Sequence, residues 1–310
     1  MSVCEQLNPW CGIAQTWEKP GHTELQQVII TVGDCDFQGY LSTSVPQIPS
    51  FKLYWDASTV FLVTIRGSPY LAMDSPDPTA QAFTDTLAIL QSAFGSRFSV
   101  QQKRVAMPIV SKLGIPWTDQ TSFQPVTNDI CFKSAPGLIR EKSERNIGYT
   151  FQELLHNKPA LESVQNPYER FDETPDGPHL HLKRLPRRFD YLHKVVPGHP
   201  SIKPYSTVLP LEKCTEDSMP FKFVQFGLLI PSIMHHLSLY LVAKSLSETL
   251  LREIDISDLS LIVTAICASS ANEASNYQRL EFLGDSILKT CVGVPEQSAL
   301  IFPSILECSL

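Results

Sequence analysis

Tyr277-Gln278-Arg279-Leu280-Glu281-Phe282-Leu283-Gly284-Asp285-Ser286 sets two acids four residues apart inside an apolar run. On a helix, Glu281 and Asp285 leave the same face one turn apart. Leu280, Leu283 and Ile287 fall on a neighbouring stripe expected to pack inward, and Gly284 leaves room for another backbone to approach. Paired carboxylates on a rigid apolar helix suit Mg²⁺ (or Mn²⁺), a hard cation that takes oxygen ligands in fixed geometry. Exposed acid pairs at this spacing are also ordinary features of solvated helices, so both readings stand at this point.

Outward from that stretch, the composition narrows the class. The chain has 310 residues, enough for two domains or one large domain with appendages. Hydrophobic residues make up 43% and charged residues 18%, which supports a buried core and excludes global disorder. The net charge of −7 means that any nucleic-acid contact must use a local basic patch. Eight cysteines lie scattered with no C-x-x-C pair, which fits reduced thiols better than zinc or a disulfide framework. Residues 1–15 lack a basic segment followed by an apolar run, so no secretory signal is read. The most apolar segment, 226–251, carries His235, His236, Lys244 and Glu248, which argues against a membrane span. The expectation is an intracellular protein, cytoplasmic or nuclear, with no membrane partner.

Strand patterns dominate residues 25–65. Val28 to Val32 is β-branched, and Phe37 to Leu41 follows a Gly-Asp-Cys-Asp turn. Residues 51–55 and 60–65 flank Asp56-Ala57-Ser58-Thr59, a hairpin connection. From Thr79 to Phe94 the spacing is helical, with Phe83, Leu87, Leu90 and Phe94 on one side and Gly95 as the stop. Prolines interrupt residues 116–210, and Phe151-Gln-Glu-Leu-Leu-His is the one helical hint there. From Phe221 onward the chain reads as helices. Leu228 to Arg252 reads as a long, largely buried one after Pro231, with Ile233, Leu237, Leu241, Val242 and Leu246 as its stripe. A second spans Ser257 to Cys267, with Asp258 at its N-terminal end. A polar loop, 269–276, then leads into the acidic-pair helix.

One basic segment stands out in the middle of the chain. In His179-Leu180-His181-Leu182-Lys183 the polar residues alternate with leucine, as on a strand with one polar face. Lys183, Arg184, Arg187, Arg188 and Lys194 follow closely, interleaved with Phe189 and Tyr191. Such a run grips phosphates while rings stack or pack nearby. It equally suits an edge strand defended by charge. The histidines at 179, 181, 193 and 199 match no zinc spacing.

The acidic-pair run resembles the E-R-L-E-F-L-G-D-S motif of the ribonuclease III family, with Gln278 in place of the first Glu. Gly227-Leu-Leu-Ile-Pro-Ser-Ile-Met-His-His resembles the connector helix before the first nuclease domain of Dicer enzymes. The wider run 272–289 is similar to the fungal Dicer-like version, most like the second group of Dicer-like proteins. Gly137-Leu-Ile-Arg-Glu-Lys and Leu182-Lys-Arg-Leu-Pro-Arg-Arg look like the platform and PAZ-related region that precedes it. The resemblance spans roughly residues 22–289 and is most specific after 220.

The resemblance implies an α+β fold, with an N-terminal mixed platform/PAZ-like region followed by an all-α, truncated ribonuclease III domain. The implied segments are 1–24, a leading segment; 25–215, the platform/PAZ-like region; 221–256, the connector helix; 257–289, the start of the nuclease domain; and 290–310, a divergent tail. The implied activity is cleavage of double-stranded RNA into small RNAs for RNA silencing, with Glu281 and Asp285 as catalytic metal ligands. Double-stranded RNA and a second ribonuclease III domain are the implied partners. That family uses a further Asp and Glu downstream, whereas here Pro295 and Pro303 break helical continuation and Glu296 and Glu307 lack an Asp partner at the needed spacing. The expectation is a chain that is incomplete on its own, binding Mg²⁺ weakly through two of four ligands. An unspliced intron read in frame is one origin of such a tail. The alternative is a non-catalytic RNA-binding or interaction fragment using residues 183–194.

Overall fold

The computed structural model describes residues 26–41, 44–67, 86, 88–95, 109–110, 123–125, 137–142, 147–160, 176–186, 188, 190–194, 205–254, 256, 258–271 and 276–293. The chain divides into two units, one reaching to Ser238 and the other starting at Leu239.

The first unit contains two antiparallel sheets. Sheet A has the order β3-β4-β1-β2-β5, from β1 (Gln26–Val32), β2 (Cys35–Leu41), β3 (Phe51–Tyr54), β4 (Val60–Gly67) and β5 (Ile109–Val110). Gly33 takes φ +58, so the β1–β2 turn is tight and pairing begins at Val32 opposite Cys35. The second strand therefore starts two residues before the expected Phe37. At the next hairpin, the Asp56 carboxylate accepts from Ser58 N at 2.9 Å and Thr59 N at 2.7 Å, so the expected connection is an aspartate-closed turn. Helix α1 covers residues 88–94 and ends at Gly95, φ +55. Its most buried side chains are Ile89 and Ala93, whereas Leu90 and Phe94 are half-buried. Phe83 and Leu87 lie outside the described residues.

Alternate residues Val28, Ile30 and Val32 with Leu53, Val63 and Ile65 form the buried face of sheet A. Phe37 stacks on Phe226 with ring centroids 3.7 Å apart and meets Phe223 edge-on. Both partners belong to α2 (Phe221–Glu248), so the long helix caps this sheet. Helix α2 starts seven residues before the expected Leu228 and ends four before the expected Arg252, with Pro231 inside it on an exposed position. The helix is long and apolar enough to cross a bilayer, yet 61% of its most apolar window is buried within the fold, as in a core helix.

Sheet B has the order β10-β9-β8-β7-β11-β6. Its strands are β6 (Phe123–Pro125), β7 (Ile139–Glu141), β8 (Gly148–Leu155), β9 (His179–Arg184), β10 (Ser206–Pro210) and β11 (Cys214–Asp217). Here one expectation fails. The stretch Phe151-Gln-Glu-Leu-Leu lies in strand β8, not in a helix, because it pairs antiparallel with β9 from Phe151 opposite Leu182 to Leu155 opposite His179. A bulge between Phe151 and Glu153 shifts the register, which breaks strict alternation and gives the run its helix-like spacing. The expected alternation in β9 does hold: Leu180 and Leu182 point into a cluster with Ile139, Tyr149, Leu209, Leu211 and Cys214. His179 departs from it by being buried, with Nδ1 2.8 Å from Gly177 O.

Among its described residues the second unit contains helices joined by turns, and no strand. It holds the end of α2, α3 (Leu259–Ile266) and α4 (Gln278–Gly293). Asp258 caps α3 as the sequence suggests, accepting from Ser260 N at 2.9 Å. Along the expected stripe of α3, Ile262 is buried and Leu261 and Ile266 are exposed.

Candidate functional site

Helix α4 begins where Asn276 Oδ1 accepts from Gln278 N at 3.1 Å and Tyr277 N donates to Cys267 O at 3.0 Å. Glu281 N then closes the first turn on Tyr277 O at 2.8 Å. This start places Glu281 and Asp285 at i and i+4 on one helix, both exposed. The expected inward packing of the neighbouring stripe does not occur. Leu280, Leu283 and Ile287 are exposed, Phe282 is 77% exposed and Leu288 63%. Among the described residues a Cβ added at Gly284 would meet nothing within 4 Å, so no described backbone uses the approach that glycine permits. No described side chain covers this apolar face, and that is the physical reason for the difference.

The acid pair supplies two carboxylates to a prospective cation. Among the described residues no group of three or more His, Cys, Asp or Glu side chains is arranged to hold a metal. Glu281 and Asp285 thus suit a Mg²⁺ ion that keeps most of its water shell, and do not themselves form a two-ion clamp.

The basic segment separates into parts with different surroundings. Lys183 and Arg184 sit at the end of β9, half-buried, with Lys183 opposite Thr150 and Ser206 in the ladder. Lys194 is exposed, its Nζ 6.0 Å from the centre of the Tyr54 ring. Arg187 and Phe189 lie outside the described residues. Arg188 faces the protein: Nη2 donates to His193 O at 2.8 Å, Nε donates to Asp190 O, and the guanidinium lies 4.8 Å from the Tyr191 ring centre. Burial pulls the Arg188 guanidinium below its ordinary value, with Tyr191 and Asp190 opposing it. Tyr191 is fully buried and stacks on Trp55 at 5.5 Å, so its ring packs inside the unit. Next to it, burial alone would raise the Asp190 carboxyl. Hydrogen bonds from the His193 ring at 2.6 Å and Leu192 N at 2.8 Å outweigh that and hold it below the usual range.

Sequence reasoning missed the buried ion pair of the first unit. Arg140 on β7 donates from Nε and Nη2 to the Asp217 carboxylate on β11 at 2.8–3.0 Å. Arg140 Nη2 also donates to Ser92 Oγ on α1 at 3.1 Å. No local signal joins partners so far apart in sequence. Cys214, beside them on β11, has its thiol pushed up to about 12 by burial, which leaves it inert.

The chain is 33% identical to Dicer-like protein 2 of Cryphonectria parasitica across 93% of its length. The chain is a relative of the fungal Dicer-like proteins 2. Identity to Dicer-like protein 2 of Coccidioides immitis is 32% over 91% of the chain, and to that of Pyricularia oryzae 30% over 93%. The chain spans about a fifth of these Dicer-like relatives, 21% of each. No family model matches. Two structures of Dicer from Giardia share 13% identity and cover 76% of this chain and 39% of their own, with TM-scores of 0.47 and 0.44, an overlap too loose to carry inference.

Proposed function

We propose that this chain is part of a Dicer-like endoribonuclease of the ribonuclease III type, which cuts double-stranded RNA into small RNAs for silencing. The observation that carries the reading is the exposed Glu281–Asp285 pair on one face of α4, inside a sequence related to Dicer-like proteins 2 along nearly all its length. On this reading residues 25–215 correspond to the platform/PAZ-like region, 221–256 to the connector helix, which runs from the first unit into the second, and 257–289 to the start of the nuclease domain. Glu281 and Asp285 hold a divalent ion, Mg²⁺ or Mn²⁺, which when bound supplies positive charge against the scissile phosphate. The pair contributes only part of a catalytic ligand set, so the isolated chain binds the ion weakly and does not cut RNA. The remaining ligands and a second nuclease domain come from outside the described residues.

The test places residues 22–289 of this chain into a full-length Dicer-like protein 2 in place of the matching segment. The chimera is expected to cut long duplex RNA in Mg²⁺, and Glu281→Gln or Asp285→Asn to reduce cleavage by at least about a hundredfold, as loss of a ligating carboxylate should. Cleavage that persists in both variants removes the acids from the site. Robust cutting by the isolated chain, abolished by Asp285→Ala, overturns the incompleteness.

A second reading is a non-catalytic RNA-binding fragment. It is favoured by the lack of a metal-holding cluster among the described residues, and by Lys183, Arg184 and Lys194 reaching solvent on the first unit. It requires salt-sensitive binding of duplex RNA that Glu281→Gln leaves unchanged. Absence of binding at low salt rejects it.

A further inference from the structure

Residues 190–194 form a strap across the first unit, tied at both ends of a single residue. Tyr191 N donates to Ser232 Oγ of α2 at 2.9 Å, and Tyr191 O accepts from Tyr54 N at the end of β3 at 2.7 Å. The strap therefore joins the long helix to sheet A, with the Tyr191 ring fully buried against Trp55. Within it the turn is closed twice. The Asp190 carboxylate accepts from Leu192 N and His193 Nδ1, and the Arg188 fork takes the carbonyls of Asp190 and His193. Arg188 Nη1 is buried and has no hydrogen-bond partner among the described residues. Two of the three guanidinium nitrogens are thus committed to backbone carbonyls and the third has no route to solvent. Lys194 is the next residue along, exposed, with its ammonium over the Tyr54 ring, which itself sits on the strap's anchor point.

We propose that Arg188 is a positioning residue, the clasp that closes this strap and thereby sets Lys194, rather than Arg188 itself, against the phosphates of bound RNA. This rests on the reading of residues 183–194 as an RNA-gripping segment. A phosphate ligand needs a reachable positive charge, which lysine also supplies. A clasp needs a planar fork that spans two carbonyls, which lysine cannot reproduce. The two roles therefore separate when charge is kept and the fork is lost.

The experiment measures binding of a short blunt RNA duplex to the full chain over a range of salt, with thermal melts confirming that each variant is folded. Lys194→Ala is expected to lower affinity several-fold and the salt slope by about one. Arg188→Lys is expected to cause the same loss despite its retained charge, and to add nothing in the Lys194→Ala background, because both act through one contact. Ser232→Ala, which alters no charge and removes the hydroxyl that receives Tyr191 N, reproduces a smaller loss that also vanishes in that background. It decides the matter if Arg188→Lys does not fold. A wild-type chain that fails to bind at low salt defeats the RNA-gripping reading itself. Binding by the wild type with Arg188→Lys or Ser232→Ala undiminished, or with losses that add to that of Lys194→Ala, defeats the clasp alone.

Discussion

Arg140 and Asp217 form a buried fork, with the guanidinium Nη2 2.8 Å from the carboxylate and side-chain exposures of 7% and 11%. The pair crosses from β7 to β11, and the same guanidinium holds Ser92 on α1, so one side chain ties a helix to sheet B. Burying two charges costs several kcal/mol, which the paired bonds from Nε and Nη2 to Asp217 and the bond to Ser92 offset. Arg140→Ala strands the Asp217 carboxylate and is expected to cost about 3–5 kcal/mol. Replacing both partners, Arg140→Met with Asp217→Leu, is expected to cost clearly less. Urea denaturation gives the comparison, and a double variant as unstable as the single one would mean the pair is not what matters there.

Two glycines on helices have opposite expectations. At Gly227 a Cβ would lie 2.6 Å from Ile89 Cγ2 and 3.2 Å from Ile89 O, where α1 crosses α2. Alanine gains about 1 kcal/mol of helix propensity there but must displace a packed helix, so Gly227→Ala is expected to destabilise by about 1–3 kcal/mol net. Gly284 has open space around it, and Gly284→Ala is expected to stabilise by about 0.5–1 kcal/mol. Matched thermal melts test both signs, and a stabilising Gly227→Ala would refute the close approach.

His236 stacks on Phe51 with centroids 3.9 Å apart, and burial, aided by His235, lowers its pKa from 6.5 to about 4. The unfolded chain therefore takes up this proton first as the pH falls. Stability is full above about pH 6.5, declines through the window down to about 4, and stops declining on this account below it. The loss is on the order of 3 kcal/mol. His236→Phe keeps a ring on Phe51 and is expected to flatten this part of the profile. Parallel profiles for the two proteins would assign the acid sensitivity to other groups.

The bare face of α4 predicts self-association. Phe282 and Leu288 contribute little to folding at their exposures, so changing either to Gln is expected to shift stability by no more than about 0.5 kcal/mol. Both changes together should reduce association, because an exposed apolar patch finds a partner in another molecule. Sedimentation velocity at several concentrations reads the effect, and unchanged association would locate the sticky surface elsewhere.

The sequence by itself determined what depends on near neighbours. Gly33 and Asp56 close their hairpins, Asp258 caps α3, alternate leucines orient β9, and four-residue spacing puts Glu281 and Asp285 on one side of α4. Each follows from local backbone geometry or from a periodicity of a few residues. Kinship to Dicer-like proteins was legible for the same reason, through contiguous motifs. Only the tertiary structure decided what depends on distant partners. The run after Tyr149 became a strand because β9 pairs along it, and Arg140 found its carboxylate on β11. Arg188, read as a charge for phosphate, turned to carbonyls of its own turn, and the leucines of α4 stayed exposed, with no described element covering them. A side chain's identity states what it can bond to. Whether it bonds inward or outward is set by which surfaces the chain brings to it, and that information is not carried by any one stretch.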